Sequence, residues 1–332
     1  MRDHHADQRL RTTRVGSAAA RLRSVALAIV TYRRPELLAG LLGELLCMDV
    51  PEQWQAVVIV VDNDPEASAR RVFSEQRDPR HNLRYRYVVE GERGIPFARN
   101  RAIDEATRLG AEVLCFLDDD DYPDRRWLRE ILECRDQTGA HLVGGPAIPA
   151  PGDSPAGRWR RLVHNSVKAA ARRSESRRTS MHKRGEPVQI ATNNWLGDLG
   201  WINAQDLRFP CTHRFSSGED TAFWRAARAR GATCEWCETA LVYQTVQGPR
   251  STLRYLMRRA FSQSLSRGKA LGTPSMRRIV FRSVPRIAFG ALILIVPVYG
   301  LASLAIGARH VGAGLGAVAS AAGLRHDLYE SG

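Results

Sequence analysis

Residues 114–121 have the sequence Leu114-Cys115-Phe116-Leu117-Asp118-Asp119-Asp120-Asp121, an apolar run that ends in four consecutive carboxylates. The apolar part has the composition of a buried β-strand. Adjacent carboxylates repel one another by a few tenths to about 1 kcal/mol per pair even at a wet surface. A hard divalent cation bound by carboxylate oxygens would offset that repulsion. On these residues alone, a solvated acidic loop and a cation site both stay open.

The chain before this stretch alternates between strand and helix patterns. Strands are predicted at Val25 to Thr31, Ala56 to Val61, Leu83 to Val89 and Val113 to Leu117, and helices from Pro35, from Pro65 to Gln76 and from Pro96. Such alternation predicts βαβ units with right-handed connections. We therefore expect an α/β fold with a Rossmann-like, mostly parallel sheet and flanking helices.

Three of the predicted strands end in polar clusters: Thr31-Tyr32-Arg33, Asp62-Asn63-Asp64 and Asp118 to Asp121. In parallel sheets of this kind, ligands bind outside the carboxyl ends of the strands. The three strand ends should therefore lie along one edge of the sheet, within reach of one nucleotide-sized ligand.

The second half of the domain has weaker patterns. A helix is predicted from Pro123 to Thr138 and another from Thr221 to Arg230, with strands at 142–145, 188–192 and 239–245. The basic, Ser-rich stretch from Arg158 to Arg184 is compatible with a solvated loop or helix, or with a mobile flap over an anionic substrate.

The composition limits the possible partners. The 332 residues carry a net charge of +14, which favours an anionic partner. No helix-turn-helix, zinc-finger or aromatic-rich RNA motif is present, so no nucleic-acid partner is expected. Six irregularly spaced cysteines do not form a disulfide framework, and the pair Cys234 and Cys237 is interpreted as ordinary thiols.

The C-terminal segment predicts a membrane contact. Arg277, Arg278, Arg282 and Arg286 precede an uncharged run, Ile287 to Ala308, long enough to cross a bilayer of ~30 Å. After Arg309-His310, a second uncharged run extends from Val311 to Leu324. We predict a membrane-associated helical hairpin at 287–324, as two crossings or one re-entrant pair, with its arginine-flanked end in the cytosol. A hydrophobic core helix is the alternative.

Five motifs occur in the order found in one known family. They are Ile29-Val30-Thr31-Tyr32, Val60-Val61-Asp62-Asn63, Gly94-Ile95-Pro96-Phe97-Ala98-Arg99-Asn100, Phe116-Leu117-Asp118-Asp119-Asp120-Asp121 and Ser217-Gly218-Glu219-Asp220. In these the chain resembles the inverting glycosyltransferases of family 2, which have the nucleotide-sugar-binding GT-A fold. It is also similar to exopolysaccharide glucosyltransferases of the succinoglycan type.

The resemblance implies a role for each matched residue. Asp120 would bind Mg²⁺ or Mn²⁺, and Asp118 would contact the ribose or the metal. Asp62 would accept from the uracil N3–H, Tyr32 would pack on the base with Thr31 beside it, and Arg99 would face the diphosphate. Asp220 would be the catalytic base, and Glu219 would position the acceptor. Inverting transfer needs one base for the acceptor's proton and one positive centre for the leaving diphosphate. One acidic cluster and one distant acid meet that requirement.

Two departures from the family pattern qualify the resemblance. The stretch Tyr243-Gln244-Thr245-Val246 lacks the His that many members place near the metal, which leaves the third metal ligand open. The Gln-x-x-Arg-Trp motif of processive synthases is also absent, which predicts transfer of a single sugar. Arg254, Arg258 and Arg259 would contact either the acceptor's diphosphate or anionic lipid headgroups.

The predicted division of the chain follows from these patterns. It comprises a disordered basic leader (1–23), a GT-A domain (24–250) with a nucleotide-binding half (25–121) and an acceptor half (122–250), a basic amphipathic juxtamembrane segment (251–286), the membrane hairpin (287–324) and a tail (325–332). The predicted function is metal-dependent transfer from a UDP-sugar to a lipid-linked acceptor at the cytoplasmic face of the plasma membrane. A nucleotidyltransferase and a non-catalytic membrane adaptor are the alternatives.

Overall fold

The structure, a computed structural model, describes residues 22–75, 83–152, 155, 157–213, 218–245, 252–270 and 276–322. Its strands are β1 Arg23–Thr31, β2 Trp54–Asp62, β3 Leu83–Val89, β4 Val113–Asp118, β5 Asp121–Pro123, β6 Leu142–Gly144, β7 Ala147–Pro149, β8 Trp195–Asp198, β9 Cys234–Trp236 and β10 Val242–Gln244. Its helices are α1 Pro35–Leu45, α2 Arg70–Glu75, α3 Ile95–Arg108, α4 Trp127–Thr138, α5 Arg158–Lys183, α6 Leu199–Ala204, α7 Glu219–Ala229, α8 Leu253–Ala270, α9 Met276–Ile295 and α10 Ser303–Ala321.

The main sheet has seven strands in the order β3-β2-β1-β4-β8-β6-β9. Strands β1, β2, β3 and β4 all run parallel to one another. Strand β8 is antiparallel to both β4 and β6. The predicted α/β fold with a mostly parallel sheet is confirmed. The leader predicted at 1–23 and the tail predicted at 325–332 lie outside the described residues, apart from residues 22 and 23.

Helices cover both faces of this sheet because successive side chains of a strand point to opposite sides. Leu27 of β1 belongs to the core that also contains Leu38 of α1. The next residue, Ala28, belongs to the opposite core, with Ala102 of α3. Both faces of the parallel strands are therefore buried, which explains their continuous apolar runs.

Two elements in the first half differ from their predicted bounds. The helix predicted from Pro123 begins only at Trp127, because Asp121–Pro123 forms strand β5. This strand pairs antiparallel with β10, which is also paired with β7 in a second, three-stranded sheet. The helix predicted from Pro65 is described only over Arg70–Glu75. Before α2 the chain forms turns instead of helix, and the Ala69 N–H donates to Asp62.

The strand predicted at 188–192 is wrong, and the strand in this region is β8. Val188 and Ile190 bury their side chains without joining the sheet. Asn194, whose polarity suggests a strand end, is buried before β8. Its side chain accepts a hydrogen bond from Trp127 Nε1 and donates to the carbonyls of Pro146 and Ala240. The amide thus joins three separate segments, which local polarity does not reveal.

The basic stretch from Arg158 forms one continuous 26-residue helix, α5. Its buried residues Val167 and Ala170 pack against Ala302 and Ala305 at the start of α10. The hydroxyl of Ser166 accepts a hydrogen bond from the Ala305 N–H at 2.9 Å. The stretch is therefore a helix, as one of the two possibilities allowed, but its packing against the start of α10 was not predicted.

We expect the buried carboxyl group of Glu175 in α5 to make the stability of the protein depend on pH. Burial raises the pKa of its carboxyl, although Arg178 and the Ala147 N–H act in the opposite direction. Because the folded-state pKa lies above the unfolded value, this group's contribution is fully present below the unfolded pKa and is lost as the pH rises through the folded one. Thermal unfolding of wild type and Glu175→Gln from acidic to neutral pH should therefore show wild type losing stability relative to the variant. Equal pH profiles would contradict this.

The C-terminal helices differ from the predicted hairpin in the position of the turn. The uncharged run Ile287 to Ala308 is not one helix, because α9 ends at Ile295 and α10 begins at Ser303. Pro297 lacks an N–H for continued helix, and Gly300 has a φ of 56°. Among the described residues, one segment, Gly300–Ala321, is long and apolar enough to cross a bilayer, and 50% of its most apolar window is buried.

Glycines allow α10 to pack closely against its two neighbours. A Cβ atom at Gly312 would lie 2.2 Å from the Met257 carbonyl oxygen of α8, and one at Gly316 would lie 2.2 Å from that of Phe261. Gly290 of α9 and Gly307 of α10 approach each other in the same way. Such small residues let helix backbones come into contact, as they do between membrane helices.

A pair of Gly→Ala variants tests this packing. Gly312→Ala should lower the free energy of unfolding by about 1–3 kcal/mol, because the new methyl overlaps with the α8 backbone. Gly43→Ala is the matched control, since Gly43 is an exposed helical glycine with no atom within 4 Å of the added Cβ. It should raise stability by about 0.5–1 kcal/mol. Denaturant unfolding followed by circular dichroism measures both, and the same sign for both would refute the packing.

Candidate active site

The carboxyl ends of β2, β1 and β4 are adjacent, as predicted. In the sheet register Thr31 pairs with Asp62, and Val30 pairs with Asp118. A hydrogen bond of 2.9 Å from the Thr31 hydroxyl to Asp119 connects β1 to the acids after β4. The polar ends of the three strands thus form one continuous edge.

The four consecutive acids have different environments. Asp118 is 45% exposed, whereas Asp119, Asp120 and Asp121 are buried. Asp119 accepts hydrogen bonds from Thr31 and Arg34, yet burial raises its pKa. Asp121 accepts from the Asp118 N–H and from Gln244 Nε2, so it ties the strand end to β10. Asp119 and Asp121 are therefore held by hydrogen bonds within the protein. Asp118 and Asp120 are the candidate metal ligands.

These acids suit a hard divalent cation. Burial, and then the charges of Asp118 and Asp120, raise the pKa of Asp121 well above its usual range. The three carboxylates therefore lie close enough together to affect one another's ionisation. The described residues contain no group of three or more His, Cys, Asp or Glu side chains arranged to hold a metal. Mg²⁺ is commonly bound by only one or two carboxylates, with substrate phosphates and water supplying the rest, so the pair fits.

The stretch that lacks the family's His lies beside the acids. Gln244 donates a hydrogen bond of 3.1 Å to Asp121, and the Thr245 N–H donates to the Asp120 carbonyl. Glutamine thus contacts the acidic cluster from β10. The residue type gave no signal of this contact, because the pairing of β5 with β10 is long-range.

Tyr32 follows β1 and lies among arginines. The guanidinium groups of Arg33 and Arg93 lie over its ring, at 5.4 and 4.9 Å from the centroid. Arg33 has a φ of 52°, a left-handed conformation that costs roughly 1–2 kcal/mol in a residue with a Cβ. It also pairs with Asp64 at 3.1 Å. Burial opposes ionisation of Asp64, but Arg33 and the Glu66 N–H outweigh it and lower the pKa.

Asp62 is fully buried, and protein donors bind both of its oxygens. It accepts from the Tyr87 hydroxyl at 2.6 Å, the Ala69 N–H at 2.8 Å and the Asp64 N–H at 3.1 Å. In the structure it therefore anchors the loop after β2. The contact with a uracil imide stays a prediction.

Arg99 connects the strand edge to α7. This buried guanidinium lies 2.7 Å from Glu219 and 3.7 Å from Asp118, and it stacks on Phe209. Sequence reasoning assigned it to the diphosphate and did not predict the pair with Glu219, which lies 120 positions further along the chain. The pair brings the two predicted halves of the site together.

The two acids at the start of α7 also differ. Glu219 is buried, paired with Arg99, and accepts from the Gly218 N–H. Asp220 is half-buried and accepts from the N–H and hydroxyl of Thr221. Of the two carboxyl groups, that of Asp220 is therefore the more exposed to solvent.

The arginines assigned to an acceptor or lipid lie on α8. Arg254, Arg258 and Arg259 are all exposed, but Arg259 points away from the other two around the helix, because residues four apart share a face. The structure therefore does not keep the three as one cluster.

The mostly parallel α/β sheet, with an acidic strand edge joined to a second acidic helix start, together with the family match that follows, identifies the class: this is a glycosyltransferase with the GT-A fold. Residues 26–196 match the family described as "Glycosyl transferase family 2". The chain is also 33% identical over 247 residues to the succinoglycan biosynthesis protein ExoM of Rhizobium meliloti (strain 1021), covering 74% of each chain. It belongs to glycosyl transferase family 2.

Solved structures share the fold at low sequence identity. The mannosyltransferase PcManGT from Pyrobaculum calidifontis, in complex with GDP-Man and Mn²⁺, has a TM-score of 0.55 and 15% identity, with 87% of this chain and 86% of that one covered. S. aureus TarS 1-349 in complex with UDP has a TM-score of 0.50 and 16% identity, with 92% and 94% covered.

Proposed function

We propose that this chain transfers a single sugar, with inversion, from a UDP-sugar to a lipid-linked or other membrane-borne acceptor, in synthesis of a bacterial surface polysaccharide or glycolipid. The observation that carries the proposal is the contact of Arg99 with both Asp118 and Glu219, which joins a nucleotide edge to an acidic helix start. The similarity to a succinoglycan biosynthesis protein supports the polysaccharide, and the UDP in the TarS structure supports the donor.

The donor would lie along the strand edge. Tyr32 would pack on the base with Thr31 beside it, and Asp62 would accept from the uracil imide after the loop it anchors has adjusted. Arg33 and Arg93, which lie over the Tyr32 ring, add positive charge at the base end of the site, and Arg99 would face the diphosphate. Asp118 and Asp120 would hold Mg²⁺ or Mn²⁺, which supplies the positive centre that stabilises the leaving diphosphate. The Mn²⁺ in the PcManGT structure supports this metal.

The acceptor would approach from α7. Asp220 removes the proton of the acceptor hydroxyl while that oxygen attacks the anomeric carbon, which inverts the configuration in one displacement. Glu219, held by Arg99, positions the acceptor and keeps Arg99 near Asp118. The pair thereby links occupancy of the donor side to the geometry of the base.

The C-terminal helices would place this site at the membrane. Large apolar side chains on α9 and the turn after it are exposed, among them Phe281 (81%), Ile295 (84%), Val298 (57%) and Leu301 (61%). Apolar surface of this extent is favourably buried in a bilayer. With the arginines that precede it, it supports attachment to the cytoplasmic face of the plasma membrane.

The test is release of UDP by the purified full chain. With UDP-glucose or UDP-galactose, Mn²⁺ and a polyprenyl-diphosphate-sugar in vesicles, we expect UDP release that depends on the acceptor and stops with EDTA. Reactions without acceptor measure background hydrolysis. Failure to bind UDP in isothermal titration, with and without Mn²⁺, would contradict the proposal and favour a non-catalytic adaptor.

A further inference from the structure

Three arginines from three helices line one cavity in the C-terminal bundle, which consists of α8, α9 and α10. They are Arg259 of α8, Arg286 of α9 and Arg309 of α10. The cavity has a volume of about 320 Å³, and Gln263 and Ser264 of α8 add neutral polar groups to its lining. All three arginine side chains keep exposed surface, so a ligand can reach them from outside the bundle.

The helical spacing of the lining residues shows that Arg259, and not its neighbour Arg258, faces the cavity. Leu256, Arg259, Ala260 and Gln263 line it, and their spacing of three and four residues places them on one face of α8. Arg258 is exposed and is not part of the lining. Arg259 and Arg258 thus have the same side chain on the same helix, with one inside the cavity and one outside it.

The positive charge of the cavity has no acidic counterpart in its own bundle. The sequence contains no Asp or Glu between Glu238 and Asp327, a stretch that includes all three helices. Three guanidinium groups around one small cavity repel each other unless an anion lies between them. Arginine forks match phosphate oxygens in bidentate geometry and bind them more specifically than a point charge does.

The position of the cavity indicates what carries the phosphate. Arg309 lies near the middle of Gly300–Ala321, the apolar segment long enough to span a bilayer. An ionisable residue in such a segment is costly and usually marks a functional site. Arg286 belongs to α9, whose exposed apolar side chains include Phe281, Val284, Phe289 and Leu292. A headgroup in the cavity would therefore have a hydrophobic surface nearby for its chains.

We propose that this cavity binds the phosphate or diphosphate group of a membrane lipid, with Arg259, Arg286 and Arg309 as the ligating groups. The lipid is either the polyprenyl-linked acceptor or an anionic phospholipid of the bilayer, and both present the same phosphate chemistry. Only the first of these identities rests on the proposed transferase function.

The test compares vesicle binding by the full chain and its variants. Vesicles contain phosphatidylcholine alone, phosphatidylcholine with phosphatidylglycerol, or phosphatidylcholine with a polyprenyl phosphate. We expect Arg259→Gln, Arg286→Gln and Arg309→Gln each to weaken binding to a phosphate-bearing vesicle by about tenfold. The proposal places the phosphate at Arg259 and not at Arg258, which was the other candidate on this helix. Arg258→Gln, which removes the same charge from the same helix outside the cavity, should therefore weaken binding less than about threefold.

The outcomes separate the two lipid sources. A loss confined to polyprenyl phosphate vesicles supports the site and identifies the acceptor, whereas a loss on both charged vesicles supports a phospholipid site. If the cavity variants weaken binding no more than Arg258→Gln does, the proposal is overturned. Thermal unfolding and UDP titration on the same variants should match wild type. Failure of wild type to bind UDP would instead refute the transferase proposal and leave the cavity result standing.

Discussion

Asp220→Asn is expected to lower the rate of sugar transfer by about 100- to 10,000-fold, the usual contribution of a general base. The change keeps the shape of the side chain and its hydrogen bond from Thr221, but it removes the carboxylate that would take the acceptor's proton. Binding of UDP should be unchanged, because the nucleotide contacts lie along the strand edge. Acceptor-dependent UDP release measures the rate, and isothermal titration measures the binding.

Asp198→Asn is the matched control for this variant. Asp198 is also an acid at the start of a helix, where it accepts from the Trp201 N–H, and Asn is an equally good cap. It pairs in the sheet with Val113, the first residue of β4, so it lies at the edge opposite the acids. Its loss of the ion pair with Arg135 should affect stability and leave transfer intact. A normal rate for Asp220→Asn would show that the base is another group.

Asp118→Asn and Asp120→Asn are each expected to lower transfer by about 100- to 1,000-fold, or roughly 3–4 kcal/mol of transition-state stabilisation. Both changes remove a charged oxygen from the proposed metal site. The effect of Mn²⁺ on UDP affinity distinguishes loss of the metal site from a general loss of structure in these variants. Mn²⁺ should increase the affinity of wild type for UDP, and it should have little effect on the affinity of either variant.

Asp124→Asn provides the control for charge removal near the same strand end. Asp124 follows β5 and accepts from the Arg126 N–H in the turn before α4, a contact that Asn can preserve. Its rate and its response to Mn²⁺ should match wild type. If Asp120→Asn retains both the rate and the metal response, the metal is held elsewhere.

Short-range sequence patterns were enough to predict the four parallel strands of the sheet and their polar edge. The runs at 25–31, 56–61 and 113–117 specify buried strands because a strand covered on both faces needs apolar side chains at every position. Parallel connection then places their polar ends together, and the register of Thr31 with Asp62 confirms this. The cluster at 118–121 alone was enough to predict where the candidate site lies.

Elements defined by long-range pairing were missed or misplaced. Strand β8 lies inside the sheet, between β4 and β6, yet the sequence favoured a strand at 188–192 instead. The contact of Arg34 with Asp119 had a weak signal in the arginines directly after β1. The contact of Gln244 with Asp121 had none, because a glutamine near a strand end carries no directional information.

The sequence by itself determined the fold class, the family and the position of the acidic edge, because these depend on periodicity and on motifs a few residues long. The tertiary structure alone decided what each acid contacts: Asp119 with Thr31, Asp121 with Gln244, and Glu219 with Arg99. It also decided that Arg259 meets Arg286 and Arg309 in one cavity. Each of these contacts joins residues far apart in the chain, so it exists only after folding has brought their elements together.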